Sequence, residues 1–412
     1  MDIVHYRCAG LDISKRDAKA CVRVQQPDQA RAKSKVTTWG STTNAILELR
    51  EFSFAEEVTL VVMEATSDYW KPFYYLLDEG PFEVMLVNAR HVKNLPGRKT
   101  DVSDAAWLAQ LGAHGLVRAS FVPPEPIRQL RDLTRSRTIV IRERSREIQR
   151  LQKLLEDAGV KLSSVATAIT GPSGRSMLEA LIAGVRDLDV LAELARGRLR
   201  AKIPELTEAL TGRFNEHHAF LVRLHLEAID HRTEAIDEVT ARVELMIEPF
   251  RAARDLLETI PGISTRAADV IVAETGADMS RFPTAKHLAS WAGICPGSNE
   301  LAGRVKSTRT RPGNPYLKGV LSIATLSAIR SSDTYYSAKY RRIASRHGPI
   351  RAVVAVEHSM IIAIWNMLQS GESFTDLGGD YYTRLRPERT KNRALQQLRQ
   401  LGFTVTLEPS VA

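Results

Sequence analysis

The stretch "VTLVVM", residues 58–63, is an unbroken apolar run of strand length. Such a run is typical of a central strand covered on both faces of its sheet. Three strands are predicted before it, over residues 3–13, 19–26 and 33–39, followed by a helix in "TTNAILELREF". After it, "KPFYYLLDEG" predicts a helix closed by glycine and "FEVMLVNA" another strand. This order predicts an α/β domain with a mixed central sheet.

The rest of the chain reads as mostly helical. Three prolines in "SFVPPEPI", residues 120–127, predict a domain boundary. Two long charged helices follow and predict a coiled-coil arm or a helical hairpin, a plausible dimerising element. "GPSGRS" at 171–176 lacks the GK[ST] ending and the preceding strand of a phosphate loop, and predicts a helix start instead. The predicted domains are 1–120 (catalytic), 121–250 (helical linker), 251–370 (DNA-binding) and 371–412 (polar tail).

Composition excludes several classes of protein. With 412 residues, 44% hydrophobic and 25% charged, the chain is typical of a globular protein with two or three domains. No apolar run approaches the length of a membrane span, and the N-terminus lacks a signal-peptide pattern. Three cysteines without a CxxC argue against a disulfide framework and a thiolate zinc site, and no HExxH occurs. We expect a cytoplasmic protein without a membrane partner.

The charge distribution favours a polyanionic partner. Net charge is +9, which is most simply explained by nucleic acid. The segment from Arg304 to Arg351 carries eleven Lys or Arg side chains against one acid, Asp333. A solvated helix face usually mixes both signs, as a second cluster beginning at Arg128 does. The first cluster therefore predicts a phosphate-facing surface.

Four acidic residues stand where an α/β sheet presents its ligands. In "GRKTDVSDAAWLAQL", residues 97–111, two aspartates share one helical stripe with Ala105, Leu108 and Leu111. Helix capping is one explanation for the two aspartates, with Asp101 as N-cap and Asp104 in the first turn. Two further acids end predicted strands, in "GLDIS" and "VVMEAT", where a turn aspartate and a strand-end charge are the plain alternatives. The four residues are Asp12, Glu64, Asp101 and Asp104.

Four carboxylates in one cleft would repel each other unless cations held them together. Magnesium is the natural counter-charge because it prefers carboxylate oxygens, phosphate and water. Two such ions would serve an in-line phosphoryl displacement, and Mn²⁺ could substitute for Mg²⁺. The set therefore predicts a two-metal phosphoryl-transfer site.

Two stretches in the C-terminal half predict contacts with nucleic acid. "ARDLLETIPGISTRAADVIVAETG", residues 253–276, matches a helix-hairpin-helix whose turn amides hold a phosphate, although a plain αα turn has the same pattern. "WAGICPGSNELAGRVKSTRTRPGNPYLKGVL", residues 291–321, predicts a cationic loop before a helix that begins near Pro315. A hydroxyl in this loop could act as a nucleophile. The candidate binding residues are Gly262, Arg304, Lys306, Arg309, Arg311, Asn314 and Lys318.

The motifs together resemble the DEDD insertion-sequence transposases, the family related to the Piv invertase. The resemblance runs through "GLDISK", "MEAT", "NARHVKNLPGRKTDVSDAAWLAQL", "IPGI" and "WAGICPG…TRPGNPYLKG", and so spans nearly the whole chain. It implies a RuvC-like (RNase H-like) domain, a coiled-coil linker and a C-terminal transposase domain. It also implies magnesium binding by Asp12, Glu64, Asp101 and Asp104. The implied protein is a dimeric or tetrameric recombinase at the nucleoid, guided to DNA by a structured RNA.

One position departs from the family pattern. Relatives usually carry a serine five residues after the loop proline, in a block like "NESAG", and this serine is thought to attack the DNA backbone. Here the block reads "SNELAG", and Leu301 stands five residues after Pro296. Either the copy is disabled, or Ser298 or Ser307 substitutes, or the alignment slips. The departure also keeps open a RuvC-like structure-selective nuclease that uses a metal-activated water, and a decayed copy that only binds nucleic acid.

Overall fold

The computed structural model describes residues 3–27, 31–65, 67–89, 92, 103–296, 299–301, 304–307 and 309–407. The chain forms two compact units, Met1–Pro123 and Pro124–Ala412. Each unit has its own hydrophobic core, and each is described by itself. The finer division at residues 250 and 370 stays a prediction.

The first unit is built on a five-stranded sheet with strand order β3-β2-β1-β4-β5. β1 pairs antiparallel with β2 and parallel with β4, so the predicted mixed sheet is confirmed. The apolar run that predicts the sheet lies in β4, whose residues 60–63 are all buried. The strands are β1 (Arg7–Ile13), β2 (Asp17–Val24), β3 (Lys33–Gly40), β4 (Leu60–Glu64) and β5 (Glu83–Val87).

Helices cover both faces of this sheet, which is why residues 60–63 of the central strand β4 are all apolar and buried. One face packs against α1 (Thr43–Ala55) and α2 (Trp70–Leu77), through the buried side chains of Leu11, Met63 and Phe73 among others. The other face packs against α3 (Asp104–Ala113), through a cluster that includes Val62, Leu108 and Leu111. Because side chains alternate along a strand, residues 60 and 62 face α3 while 61 and 63 face α1 and α2.

The second unit is helical in nearly all of its elements. Two long helices, α4 and α9, lie antiparallel, since Glu147 contacts His225 and, nearer the end of α4, Asp157 contacts His218. The chain between them, residues 158–215, forms a group of short helices that we call the insert. The helices are α4 (Glu125–Asp157), α5 (Leu162–Val165), α6 (Pro172–Ile182), α7 (Leu188–Glu193), α8 (Ile203–Leu210), α9 (Glu216–Met246), α10 (Arg251–Glu258), α11 (Thr265–Thr275), α12 (Ala285–Trp291), α13 (Pro315–Ala328), α14 (Tyr335–His347), α15 (Pro349–Ser370), α16 (Tyr381–Leu385) and α17 (Pro387–Gln400).

Helix α15 is the one helix in the described part of the chain that is long and apolar enough to cross a membrane. Its buried side chains, among them Val356, Met360, Ile361 and Ile364, pack into the core of the second unit. A core helix of a globular unit passes the same length and composition test. Packing into this core accounts for the apolar side chains on the buried face of the helix.

Two predicted helix starts are confirmed, and one loop contains more structure than predicted. Helix α13 begins at Pro315, and α6 begins at Pro172 in the "GPSGRS" stretch. The predicted cationic loop contains a short hairpin of β6 (Asn299–Leu301) and β7 (Arg304–Ser307). Strands of three and four residues are too short for alternation to be recognised in a sequence.

Candidate functional site

Small residues allow helix α3 to lie directly on strand β1. A Cβ atom at Gly10 would come within 2.1 Å of the Ala105 carbonyl oxygen and 2.4 Å of the Ala109 amide nitrogen. Both are backbone atoms of α3 and cannot move aside, so only glycine fits at this position. At the far end of α3, Gly112 lies over Cys8, which precedes Gly10 on the strand. The helix therefore runs antiparallel to β1, and its N-terminus lies at the carboxyl end of that strand.

This packing brings two of the four proposed acids together. Asp12 follows Gly10 on the face of β1 that meets α3, and Asp104 is the first residue of α3. Burial raises the pKa of Asp12, and the negative charge of Asp104 raises it further. Lys19, which pairs with Asp12 across the antiparallel strands, lowers the pKa of Asp12. The two carboxylates are therefore near enough to repel each other.

Glu64 lies at the same edge of the sheet. β1 and β4 are parallel and in register at Leu11 and Met63, so Asp12 and Glu64 are the next residues on neighbouring strands. Leu60 and Val62 contact the α3 cluster, which places the half-buried Glu64 on the α3 face by alternation. This is the carboxyl edge of two parallel strands, where open α/β sheets bind their ligands.

The fourth proposed acid, Asp101, lies outside the described residues. Within the described residues, no group of three His, Cys, Asp or Glu is placed closely enough to hold a metal ion. The structure thus brings Asp12 and Asp104 together and places Glu64 on the adjacent strand. The complete set of four stays a prediction.

The N-cap of helix α3 lies two residues later than the capping alternative assumed. Its N-cap is Ser103, whose Oγ accepts a hydrogen bond from the Ala106 amide at 3.3 Å. The expectation of Asp101 as N-cap was therefore wrong, because a serine two residues later supplies the capping oxygen. The expected buried stripe of Ala105, Leu108 and Leu111 is confirmed. Asp104, at the solvent end of that stripe, is half-buried.

The predicted hairpin of the C-terminal half is a tight turn between α10 and α11. Its Gly262 has a φ of +91°, a left-handed conformation that favours glycine. A Cβ atom there would lie 2.3 Å from the carbonyl oxygen of Ala324 on α13. This packing accounts for Gly262 without any ligand, and the phosphate contact of the turn stays a prediction.

Nine of the eleven cations of the predicted basic surface are exposed, and Lys318 and Lys339 are half-buried. Of the described carboxylates, none forms an ion pair with the eleven cations between Arg304 and Arg351. Arg304 and Lys306 project from the exposed hairpin. Arg309, Arg311 and Lys318 line an open cleft of about 520 Å³. Phosphate oxygens are the groups that such an uncompensated surface binds best.

Two of the seven proposed binding residues are held by contacts within the fold. Lys318 donates to the Thr310 hydroxyl at 2.9 Å and to the Gly293 carbonyl at 3.3 Å. Asn314 caps α13 through its Oδ1, which accepts from the Tyr316 amide at 3.0 Å. Its Nδ2 donates to buried Glu274 at 2.6 Å. The structure thus gives Asn314 a positioning role at the start of α13.

Two serines, Ser298 and Ser307, are the proposed substitutes for the family serine. Ser307 ends strand β7, and its Oγ accepts a hydrogen bond from the Arg309 amide at 3.2 Å. Ser298 lies outside the described residues. The backbone of Leu301 pairs with that of Arg304 in the β6–β7 hairpin.

Sequence reasoning missed a buried ion network in the second unit. Arg135 donates to both carboxylate oxygens of Glu274, at 2.7 and 2.8 Å, and Arg131 lies 3.4 Å from the same carboxylate. A second buried pair joins Arg137 to Asp269 at 2.8 Å. The sequence assigns these arginines to a mixed-charge, solvated helix face. Arg131 and Arg135 are four residues apart and so lie on one helix face, next to the buried Leu130; this spacing is the signal in the sequence that such arginines could face inward.

Comparisons with known proteins match both halves of the chain. A model described as a transposase, of the DEDD and IS110 type, matches residues 9–159. A second, described as the transposase IS116/IS110/IS902 family, matches residues 254–341. The chain belongs to the IS110 family of transposases. The first match contains the four proposed metal ligands, and the second contains the seven proposed DNA-binding residues.

Curated relatives of this IS110-family transposase come from several bacteria. A Sinorhizobium fredii protein named as the transposase y4pF/y4sB is 24% identical, over 82% of this chain and 79% of its own length. The 42 kDa protein of insertion element IS900 from Mycobacterium paratuberculosis is 28% identical, over 66% of this chain and 71% of its own length. The 43.6 kDa protein of IS110 from Streptomyces coelicolor is 30% identical over 33% of this chain.

Proposed function

We propose that this transposase cleaves and transfers DNA strands at a magnesium site held by Asp12, Glu64, Asp101 and Asp104 in a RuvC-like domain. The observation that carries the proposal is the approach of Asp104 to Asp12, which is enforced by the seat of α3 on Gly10. A helix that places one carboxylate against another raises the free energy of the folded protein unless a cation offsets the repulsion.

The residues at this edge suit a magnesium ion. Their donors are carboxylate oxygens, the ligands that magnesium prefers, and no described side chain forms an ion pair with Asp12. When bound, magnesium or manganese would activate the attacking oxygen and stabilise the leaving oxygen of a phosphoryl transfer. The chain's own part is to fix Asp12 and Glu64 on adjacent strands and to hold Asp104 at the end of α3. This arrangement restricts where a scissile phosphate can lie.

The second unit would hold the DNA on its uncompensated cations. The cleft formed by Arg309, Arg311 and Lys318 offers sites for backbone phosphates. A nucleophilic serine is absent at position 301, and Ser307 is the described candidate to replace it. The Arg309 amide that donates to its Oγ would also stabilise a serine alkoxide. If no serine acts, the metal site alone supports hydrolysis, which makes a structure-selective nuclease the second candidate function.

The partners follow from charge, from the helical architecture and from the family resemblance. A structured guide RNA is a polyanion and suits the same cationic surfaces as DNA. The paired helices α4 and α9 offer the long faces that a coiled-coil dimer or tetramer needs. We place the protein in the cytoplasm, at the nucleoid.

The test is a junction-spanning PCR for the excised circle of the element that carries this gene. Cells would express the natural protein, Leu301→Ser, and each of these combined with Asp12→Asn. Circles from the natural protein would show that it recombines DNA with a nucleophile elsewhere than position 301. Circles only from Leu301→Ser would show an intact recombinase silenced by one residue. In both cases Asp12→Asn should reduce circle formation by on the order of 1,000-fold, because groups of one catalytic unit act together.

Two results would contradict parts of the proposal. Undiminished circles from the Asp12→Asn protein would refute the metal site. If neither protein forms circles, magnesium-dependent nicking of branched DNA would decide between the remaining functions. Nicking without a covalent protein–DNA adduct would favour the nuclease, and no reaction would favour a protein that only binds nucleic acid.

A further inference from the structure

The insert carries a short cationic run that neither family match covers. The sequence "RGRLRAK", residues 196–202, contains four basic residues, and no acid occurs between Glu193 and Glu205. It forms a 3₁₀ helix, Gly197–Lys202, that leads into α8. The run lies between the two matched segments, 9–159 and 254–341.

The fold directs three of these cations to solvent. Leu199 and Ile203 pack against the apolar core of the insert and anchor the 3₁₀ helix. Residues 200–202 between them are exposed, and so are Arg196 and Arg198, which precede Leu199. Because the apolar residues pack inward while the basic residues are exposed, this short run of sequence forms a positive edge.

These three cations have no counter-charge in the described part of the chain. Arg200, in the same run, pairs with Glu193 at 3.0 Å. Elsewhere in the insert Arg175 pairs with Asp230 at 2.7 Å. Arg196, Arg198 and Lys202 form no such pair with a described carboxylate. Arg175 and Arg200 are thus neutralised locally, whereas the three cations of this edge have no described carboxylate beside them.

The bare edge borders a cleft. An open cavity of about 310 Å³ lies between Arg198 and Lys202 on one side and the loop before α6 on the other. The Ser173 hydroxyl accepts a hydrogen bond from the Arg196 amide at 2.9 Å and holds the two sides together. The remaining lining residues are small or apolar, among them Ala168 and Gly171, and none is acidic. We call this cavity, the two unpaired cations that line it and the adjacent unpaired Arg196 the insert cleft.

We propose that the insert cleft binds the phosphate backbone of duplex DNA, as a second contact separate from the surface between Arg304 and Arg351. Uncompensated Arg and Lys side chains around a cleft without acids suit phosphodiesters and provide no pattern for reading bases. DNA is the polyanion on which a transposase acts, so it is the occupant we assign. The inference rests on the proposed DNA binding by this transposase and adds a place where the DNA is held.

The test compares two triple variants of the full chain in binding to duplex DNA of random sequence. The cleft variant is Arg196→Gln, Arg198→Gln, Lys202→Gln. The matched control is Lys161→Gln, Arg200→Gln, Arg213→Gln, which removes the same charge from exposed insert residues that already face carboxylates. Thermal unfolding would verify that both variants are folded.

The readout is the slope of the logarithm of the binding constant against the logarithm of salt concentration. Each phosphate contact contributes about 0.9 to this slope, so the cleft variant should lose about 2.7. Between about 50 and about 200 mM salt, the affinity of the natural protein should therefore fall about 40-fold more than that of the cleft variant. The control variant should keep a slope close to that of the natural protein.

Three results would overturn the assignment. Equal losses of slope in both triple variants would show a general effect of net charge. An unchanged slope in the cleft variant would show that the insert cleft makes no contact with DNA phosphates. If the cleft variant bound duplex DNA normally but had lost affinity for structured RNA, the insert cleft would be assigned to RNA instead. A parallel variant, Arg309→Gln with Arg311→Gln, reports on the C-terminal surface, so that a failure of DNA binding there is seen separately.

Discussion

Two groups of carboxylates differ in how the protein treats their charge. In the second unit, Glu274 is fully buried and accepts hydrogen bonds from Arg135 and Asn314, with Arg131 close by. In the first unit, Asp12 is half-buried, and its strongest acidic neighbour is Asp104. Cations surround one carboxylate, and the other is placed against a like charge.

This difference in surroundings distinguishes a carboxylate with a structural role, Glu274, from one with a functional role, Asp12. A buried carboxylate that is saturated by arginines has no capacity left for a ligand, and its role is to hold α4, α11 and α13 together. A pair of carboxylates at the edge of a sheet, where burial and a like charge raise the pKa of Asp12, is poised to accept a cation. Three predictions test this separation.

The largest expected effect is on the buried network. Glu274→Gln leaves the half-buried guanidinium groups of Arg131 and Arg135 without the buried carboxylate that balances their charge. Breaking a buried pair in this way should lower the free energy of unfolding by about 3–5 kcal/mol. Denaturant unfolding of the variant would measure the loss.

Glu258→Gln is the matched control, since Glu258 is an exposed residue of the neighbouring α10. It should change the free energy of unfolding by at most about 0.5 kcal/mol. Equal stability of the two variants would mean that the buried network is dispensable, and the contrast with Asp12 would fail.

The next effect concerns magnesium at the edge of the sheet. At about 100 times its dissociation constant, magnesium should stabilise the folded site by about 2.7 kcal/mol, which corresponds to about 100-fold slower exchange of amides that open with it. Hydrogen exchange of peptides from β1 and α3 would show this protection. Asp12→Asn should reduce it to a few-fold.

Asp17→Asn is the control for this experiment. Asp17 also raises the pKa of Asp12 through its charge, but its own carboxylate accepts a hydrogen bond from the Ser14 hydroxyl at 2.6 Å. The variant should keep the magnesium protection of the natural protein. Protection that survives in Asp12→Asn would show that the ion binds elsewhere.

Much of the first unit follows from its sequence. The apolar run of β4 requires cover on both faces, and the structure provides it with α1 and α2 on one side and α3 on the other. The acids at the ends of β1 and β4 follow from strand alternation and parallel pairing. The close packing of α3 on β1 is harder to predict from the sequence, because it depends on a contact of Gly10 with Ala105 and Ala109, which are distant along the chain.

The buried contacts of the second unit are harder to predict from its sequence, for a physical reason. Its arginines alternate with acids on α4, and the sequence does not say which of them face inward. Only the tertiary contacts separate Arg135, which binds Glu274, from the cations that remain in solvent. Local periodicity also overlooks the β6–β7 hairpin, whose short strands are defined by pairing with each other.

The smallest effect separates capping from metal binding within α3. Ser103→Ala removes the N-cap hydroxyl and should cost about 1 kcal/mol of stability. It leaves both carboxylates in place, so magnesium protection of β1 and α3 should persist. Asp104→Asn keeps the cap and removes the charge of Asp104, including its favourable interaction with the helix N-terminus, worth about 0.3–1 kcal/mol.

The two variants therefore make opposite predictions for the two roles. If Asp104 served the helix alone, Asp104→Asn would lose a little stability and keep the response to magnesium, as Ser103→Ala does. If Asp104 is a ligand, the response is lost, while relief of the repulsion with Asp12 offsets the weaker dipole interaction in the absence of metal. A variant that is as stable as the natural protein without magnesium, and less stable with it, is the result expected of a carboxylate placed for a cation.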